Sequence, residues 1–135
     1  VRFDMAEAGN CYAAGRDTAA VFHAMRVGEH GLRLLARKIR VKLTHKQKNC
    51  PIEFADWELI VTAIKNKISV VRQRRTGPKR QARLEFFADA GDHCLFMKDI
   101  WRNNVSHTRK PYKQAEALGV LERVRDFMKF IGDNL

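Results

Sequence analysis

The chain has 135 residues, 45% of them hydrophobic, and its 26 Lys and Arg against 15 Asp and Glu give a formal net charge of +11. This length suits one domain with a continuous core, and no apolar run approaches the ~20 residues of a membrane span, which excludes a membrane protein. We therefore expect one basic cytoplasmic domain over residues 1–135, whose charge attracts polyanions and favours nucleic acid as the partner.

The first part of the chain has the pattern of two helices. Residues 4–14 suit a short helix, and the Gly15-Arg16-Asp17 step either separates it from the next helix or is absorbed into one long helix. Residues 18–40 carry apolar side chains at alternating spacings of three and four, which predicts a helix that Asp17 or Thr18 is suited to cap. Its predicted buried stripe is Val21, Met25, Gly28, Leu32, Leu35 and Ile39.

A polar, basic connection over residues 41–55 leads to a second long helix, which Asp56 is placed to cap. The predicted buried face of this helix is Trp57, Ile60, Val61, Ile64, Ile68 and Val71. Residues 72–83 then hold six positive charges and no negative charge around a Gly77-Pro78 breaker, which predicts an exposed, mobile loop. We expect the basic side chains of this loop to bind nucleic acid, namely Arg72, Arg74, Arg75, Lys79 and Arg80.

Two more helices complete the predicted fold. One runs from about Lys79 to the 103–107 region, with a buried stripe of Phe87, Ala90, Cys94, Met97 and Trp101. The Lys110-Pro111 step ends it, because proline disfavours helical geometry in the residue before it. The predicted buried stripe of the last helix is Ala117, Leu121, Val124, Met128 and Ile131. The predicted class is all-α, an antiparallel bundle of four to five helices.

Most catalytic and metal-binding motifs are missing from the sequence. There is no HExxH, no CxxC pair, no EF-hand loop, no GxxxxGK and no GxSxG. The three cysteines are widely separated, which indicates reduced thiols rather than disulfides. His23 and His30 lie seven residues apart near Glu29, a pattern more typical of surface or partly buried histidines than of a metal site. We therefore predict no metal and no cofactor.

Polar and titratable residues gather in the stretch KDIWRNNVSHTRKPY, residues 98–112, at the end of the predicted third helix. On a helix Asn103 and His107 lie one above the other, and Arg102 reaches the same edge. Cleavage of RNA by its own 2′-hydroxyl needs a group that moves protons near neutral pH and a cation for the developing phosphorane charge. Histidine suits the first task and arginine the second. Asn103 would orient the phosphate or fix the tautomer of His107.

The same residue types are also common at helix ends, where they bind free backbone carbonyls and complement the helix dipole. By that interpretation Arg102 forms an ordinary ion pair with Asp99 or Glu29, and Trp101 is a core residue rather than a platform for base stacking. The residues alone leave both interpretations open.

The sequence WRNNVSH, followed by a Pro-Tyr turn and EALGVLERVRDFMKFI, resembles the final part of HEPN domains. The stretch GRDTAAVFHAMRVGEHGLRLLARKI resembles the long helix of many bacterial HEPN-like proteins, so the likeness covers most of the chain. The resemblance implies a helical bundle that dimerises so that two copies of the motif face one cleft. It implies a metal-independent RNase that leaves a 2′,3′-cyclic phosphate and a 5′-hydroxyl, in toxin–antitoxin, phage-defence or RNA-processing systems.

Through this resemblance the catalytic residues are Arg102, Asn103 and His107, and Glu29 is the acidic residue that some HEPN proteins direct at the motif arginine. The toxin branch that pairs with nucleotidyltransferase antitoxins carries a tyrosine two residues after the histidine, where this chain has Arg109. Its tyrosine is Tyr112 instead. We assign Arg109 to attraction of the RNA strand and keep Asp99 as an auxiliary residue.

Three functions remain open on the sequence. The first is an RNA endonuclease that acts as a homodimer, with a protein antitoxin or accessory protein as a further partner. The second is a non-catalytic module that binds RNA or a partner protein through its basic face. The third is a structural helical dimer. The chain begins at Val1 and enters a helical pattern almost at once, as expected of a fragment of a longer protein.

Overall fold

The computed structural model describes residues 1–45, 48–52, 55–73, 80–106 and 110–134. Five α-helices and one short hairpin are formed within these ranges, and the predicted all-α class is confirmed. None of the helices in these ranges combines the length and the apolar character that a bilayer crossing requires. In chain order the elements are α1 (Arg2–Ala13), α2 (Asp17–Lys38), β1 (Thr44–His45), β2 (Lys48–Asn49), α3 (Trp57–Gln73), α4 (Arg80–Ser106) and α5 (Gln114–Asn134).

The chain divides into two compact units, one of Val1–Gly31 with Asp99–Leu135 and the other of Leu32–Lys98. Helices α2 and α4 each contribute residues to both units. Each unit has buried apolar side chains of its own, and burial of one large apolar side chain contributes about 2 kcal/mol. The first unit buries Val21, Ala24, Val27, Ile100, Ala117, Val120, Val124, Phe127 and Ile131. The second buries Leu32, Leu35, Ala36, Ile60, Val61, Ile64, Ile68, Phe87, Ala90, Cys94 and Met97.

A glycine turn separates α1 from α2, which decides the question that the sequence left open. Gly15 has a φ of +70°, in the left-handed region that suits glycine. Its N–H donates to the carbonyl of Tyr12, and the N–H of Arg16 donates to the carbonyl of Cys11. This pair of bonds is a Schellman motif, which satisfies two of the carbonyls at the end of α1. Because α2 begins at Asp17, the two residues that we expected to cap it lie within its first turn.

Asp56 caps the start of α3, as the sequence predicted. The Asp56 carboxylate accepts a hydrogen bond of 2.9 Å from the N–H of Leu59, which is the third helical residue. The connection before it differs from the prediction, because it contains the antiparallel pairs Thr44↔Asn49 and His45↔Lys48. The buried side chain of Leu43 anchors this hairpin, and the N–H of Cys50 donates to the carbonyl of Leu43.

The predicted basic loop over residues 72–83 overlaps the described helices at both of its ends. Helix α3 continues to Gln73 and α4 begins at Arg80, so Arg72 and Arg80 are helical residues. The start of α4 agrees with the helix predicted from about Lys79, but the loop prediction treated Arg72 and Arg80 as irregular chain, whereas long basic side chains are good helix formers. Arg74, Arg75 and Lys79 lie outside the described residues.

Gly31 of α2 lies against Phe127 and Met128 of α5 within the first unit. A Cβ atom built on Gly31 would lie 2.8 Å from Cε1 of Phe127 and 2.8 Å from Sδ of Met128. Phe127 is fully buried, so its ring has no space into which it can move. By contrast, a Cβ atom on Gly119 of α5 would meet nothing within 4 Å.

We therefore expect Gly31→Ala and Gly119→Ala to have opposite effects on stability. Gly31→Ala overpacks the contact with Phe127 and lowers the free energy of unfolding by about 1–3 kcal/mol. Gly119→Ala removes only the flexibility of glycine in a helix and raises it by roughly 0.5–1 kcal/mol. Urea unfolding followed by circular dichroism measures both values. A neutral or stabilising Gly31→Ala would contradict the close approach of the two helices.

Candidate functional site at the end of helix α4

The last two turns of α4 present one buried side and one exposed side. Met97 and Ile100 are buried, whereas Trp101, which the sequence placed in the buried stripe, is only half-buried. Arg102 and Asn103, the first two residues of the predicted catalytic set, are both exposed. The helix thus uses its apolar side for packing, and Arg102 and Asn103 lie on its exposed side.

Tyr112 fixes the chain where it returns after α4. Its side chain is only 6% exposed. Its hydroxyl donates a hydrogen bond of 3.4 Å to Oδ1 of Asn104, and its backbone N–H donates one of 3.0 Å to Oγ1 of Thr18 at the start of α2. Burial, with a smaller effect of the Glu116 charge, raises the pKa of the Tyr112 phenol, so the hydroxyl remains protonated and able to donate. Tyr112 thus contacts both the end of α4 and the start of α2.

The start of α5 follows directly from this anchored point. The N–H of Lys113 donates to a carboxylate oxygen of Glu116 at 3.1 Å, which is one half of a capping box. The carbonyl of Lys113 accepts the N–H of Ala117, the first full helical bond of α5. Pro111 and Tyr112 of the predicted turn therefore lead directly into a capped start of α5.

Not every predicted site residue can be placed. His107 and Arg109 lie outside the described residues, as do the three basic residues of the 74–79 stretch. Glu29 and Asp99 are half-buried and belong to the same unit as Arg102 and Asn103. Arg72 and Arg80 are exposed and belong to the other unit, at the end of α3 and the beginning of α4.

A second polar group, which the sequence analysis did not identify, lies between α1 and α2. Asp4 is buried, and one of its carboxylate oxygens lies 2.9 Å from Nδ1 of His23 and 3.0 Å from Nε of Arg26. The hydrogen bond with His23 and the charge of Arg26 lower the pKa of Asp4, against the opposing effect of its burial. The spacing of Asp4, Ala8 and Cys11, all buried on α1, was the pattern that could have placed Asp4 on the inward face.

Next to this ion pair, the structure brings together three side chains that are able to hold a metal ion. Glu7 and Cys11 of α1 and His23 of α2 each offer one ligand atom, and these atoms all lie within 4.8 Å of one another. The sequence analysis considered His23 only together with His30, because the two lie on one helix, and so overlooked its neighbours on α1. All three cysteines of the chain have free thiols.

Comparison with protein-family models, with curated proteins and with solved structures finds no significant match to this chain.

The anchoring role of Tyr112 is tested at its acceptor, Thr18. Thr18→Val keeps the shape of the side chain but removes the hydroxyl, and loss of this hydrogen bond lowers the free energy of unfolding by about 1 kcal/mol. Thr18→Ser keeps the hydroxyl and serves as the matched control, with a stability close to that of the wild type. Chemical unfolding of the three proteins measures the difference. Equal stability of Thr18→Val and Thr18→Ser would show that this hydrogen bond does not hold the chain.

Proposed function

We propose that this protein is a metal-independent RNA endonuclease of the HEPN type. The observation that carries the proposal is that Arg102 and Asn103 are both exposed near the end of α4. His107 follows Asn103 by four residues in the sequence. The resemblance of WRNNVSH and of the α2 sequence to HEPN domains supports it, as does the all-α fold. The net charge of +11 favours an RNA substrate over a neutral one.

The proposed reaction uses only groups of the RNA and of this chain. The 2′-hydroxyl attacks the adjacent phosphorus, its proton passes to a base, and the bond to the 5′-oxygen of the next nucleotide breaks as that oxygen receives a proton. His107 moves a proton in this reaction, since an imidazole titrates close to neutral pH. Arg102 pairs its planar guanidinium with the phosphate oxygens, on which negative charge develops. Asn103 orients the phosphate.

The anchored turn at Tyr112 supports this assignment of roles. Catalysis needs the proton-transfer group and the cation to be held in one geometry, because a displacement of about 1 Å can cost 100-fold in rate. The hydrogen bonds of Tyr112 to Asn104 and Thr18 fix the chain on both sides of position 107. We infer that they limit the positions available to His107 relative to Arg102.

A second copy of the chain is part of the proposal. The first unit leaves large apolar side chains exposed, among them Phe3, Met5, Phe22 and Leu118. Met5 and Leu118 line one groove together with Leu121 and Met128. Exposed apolar surface of this kind is typical of protein–protein contacts. In the proposed homodimer this surface becomes buried. A protein antitoxin or accessory protein, which the HEPN resemblance implies, is a further proposed partner.

The nuclease proposal predicts that His107→Ala abolishes RNA cleavage. We expect single-stranded labelled RNA to be cut in the presence of EDTA, with 2′,3′-cyclic phosphate and 5′-hydroxyl ends. His107→Ala should lose about 100-fold to 10,000-fold in rate, since it lacks the proton-transfer group. His93→Ala, which changes a histidine of the other unit, is the matched control and should keep the wild-type rate.

Light scattering and circular dichroism should give His107→Ala the same mass and helix content as the wild type. Cleavage that persists in His107→Ala, or that disappears with EDTA, would contradict the proposed chemistry. Absence of cleavage in the wild type, together with tight RNA binding, would favour the alternative of a non-catalytic RNA-binding module, which the net charge of +11 also supports.

Both functions predict that RNA binding weakens with salt in proportion to the number of phosphates that the protein neutralises. The double change Arg72→Gln and Arg80→Gln should reduce the slope of log affinity against log salt by roughly 0.7 for each phosphate that is no longer neutralised. The control is Arg125→Gln, because Arg125 is already paired with Asp126 at 3.0 Å. Fluorescence anisotropy with an uncleavable 2′-O-methyl RNA measures the slopes. An unchanged slope in the double variant would exclude Arg72 and Arg80 from the RNA surface.

A further inference from the structure

Helices α1 and α2 bring a thiol, an imidazole and a carboxylate to one place in the first unit. Glu7 and Cys11 are four residues apart on α1, so their side chains lie on the same face of that helix. His23 reaches them from α2, and one ligand atom from each residue lies within 4.8 Å of the other two. Cys11 is largely buried and Glu7 is half-buried, so solvent only partly competes for these groups.

The types of ligand point to a particular class of ion. Zn²⁺ takes sulfur, nitrogen and oxygen ligands at roughly 2.0–2.3 Å in a tetrahedral arrangement, which sets the ligand atoms about 3.3–3.7 Å apart. Small rotations of the Glu7 and Cys11 side chains would therefore close this group around one ion next to His23. Calcium and magnesium prefer sites made of oxygen ligands alone, so a set that includes a thiolate and an imidazole disfavours them.

A second, independent observation is the way in which Asp4 holds His23. The ring nitrogen Nδ1 of His23 is hydrogen-bonded to Asp4 at 2.9 Å, which leaves Nε2 as the nitrogen whose lone pair is available to a metal. A carboxylate bound to the second nitrogen of a metal-ligating histidine is a recurring feature of zinc sites, where it sets the tautomer and raises the basicity of the ligand. Arg26 holds Asp4 in turn, at 3.0 Å.

Neighbouring groups also restrict the ligands. The rings of Phe3 and Phe22 meet the His23 ring edge-on, with centroids 6.0 and 5.5 Å away, which limits rotation of the imidazole. The side-chain amide of Asn10 donates to Oε1 of Glu7 at 3.1 Å, which restricts the carboxylate.

From this arrangement we propose that Glu7, Cys11 and His23 bind one Zn²⁺ ion, with Asp4 as the residue that positions His23. The thiol of Cys11 binds as the thiolate and gives its proton to solvent. The three ligands leave one position of a tetrahedral ion for water or for a small ligand. The site adds a link between α1 and α2, and it is separate from the proposed RNA chemistry, which requires no metal.

The proposal is tested with Co²⁺, which takes zinc sites and reports a thiolate ligand by a charge-transfer band in the near ultraviolet. Protein freed of metal with a chelator is titrated with Co²⁺ and then with Zn²⁺, without RNA. We expect one Co²⁺ per chain, a charge-transfer band, visible bands typical of tetrahedral coordination, and displacement of all of them by one equivalent of Zn²⁺. A wild-type protein that binds no Co²⁺ or Zn²⁺, or that shows no thiolate band, overturns the proposal.

Variants identify the ligands. Cys11→Ser should lose the charge-transfer band, and His23→Gln should lose binding. Cys50→Ser, which changes a partly exposed thiol of the other unit, should keep both. Loss of the band in Cys50→Ser but not in Cys11→Ser would contradict the assignment. Circular dichroism of the metal-free proteins checks that each variant is folded. If a variant is unfolded, the wild-type titration alone tests whether the protein binds one ion through a thiolate.

The positioning role of Asp4 has its own readout. Asp4→Asn should keep the stoichiometry and the thiolate band but bind Zn²⁺ about 10-fold to 100-fold more weakly, because the histidine is no longer oriented by a carboxylate. Wild-type affinity in Asp4→Asn would show that the carboxylate does not act on the metal ligand.

Discussion

The contacts of Tyr112 determine how the first unit is connected. A single buried residue joins the beginning of α2, through Oγ1 of Thr18, to the end of α4, through Oδ1 of Asn104. The next residue, Lys113, begins α5 with a hydrogen bond from its N–H to Glu116. Tyr112 and Lys113 therefore link three helices of the unit, and Arg102 and Asn103 lie on α4 just before the residue that Tyr112 contacts.

The regular parts of the fold were predictable because they depend on local patterns. The spacing of apolar residues predicted the helices, and the position of Asp56 before Trp57 predicted the cap of α3, which is confirmed. The role of Tyr112 was not predictable, since its partner Thr18 lies 94 residues away in sequence. The hairpin after Leu43 was missed for a related reason, as strands of two residues are too short to show alternation.

Contacts of polar residues were likewise predictable only where they depend on one helix. Exposure of Arg102 and Asn103 agrees with their expected place on the outer side of α4. The hydrogen bond of Asp4 with His23, its ion pair with Arg26 and the neighbouring Glu7–Cys11–His23 group need two helices to meet, so no pattern along one helix predicts them. A buried carboxylate is costly unless it is paired, and Asp4 is retained with two partners, which is consistent with a role in positioning His23.

The central claim is that Arg102 and His107 act on one phosphate of an RNA strand. The most direct measurement is an NMR titration with a single-stranded RNA whose 2′-hydroxyls are methylated, so that it binds but is not cut. The account predicts that the imidazole resonances of His107 and the guanidinium Nε–H resonance of Arg102 shift together, with a common midpoint. Shifts confined to other surfaces, with these two groups unaffected at saturation, would contradict it.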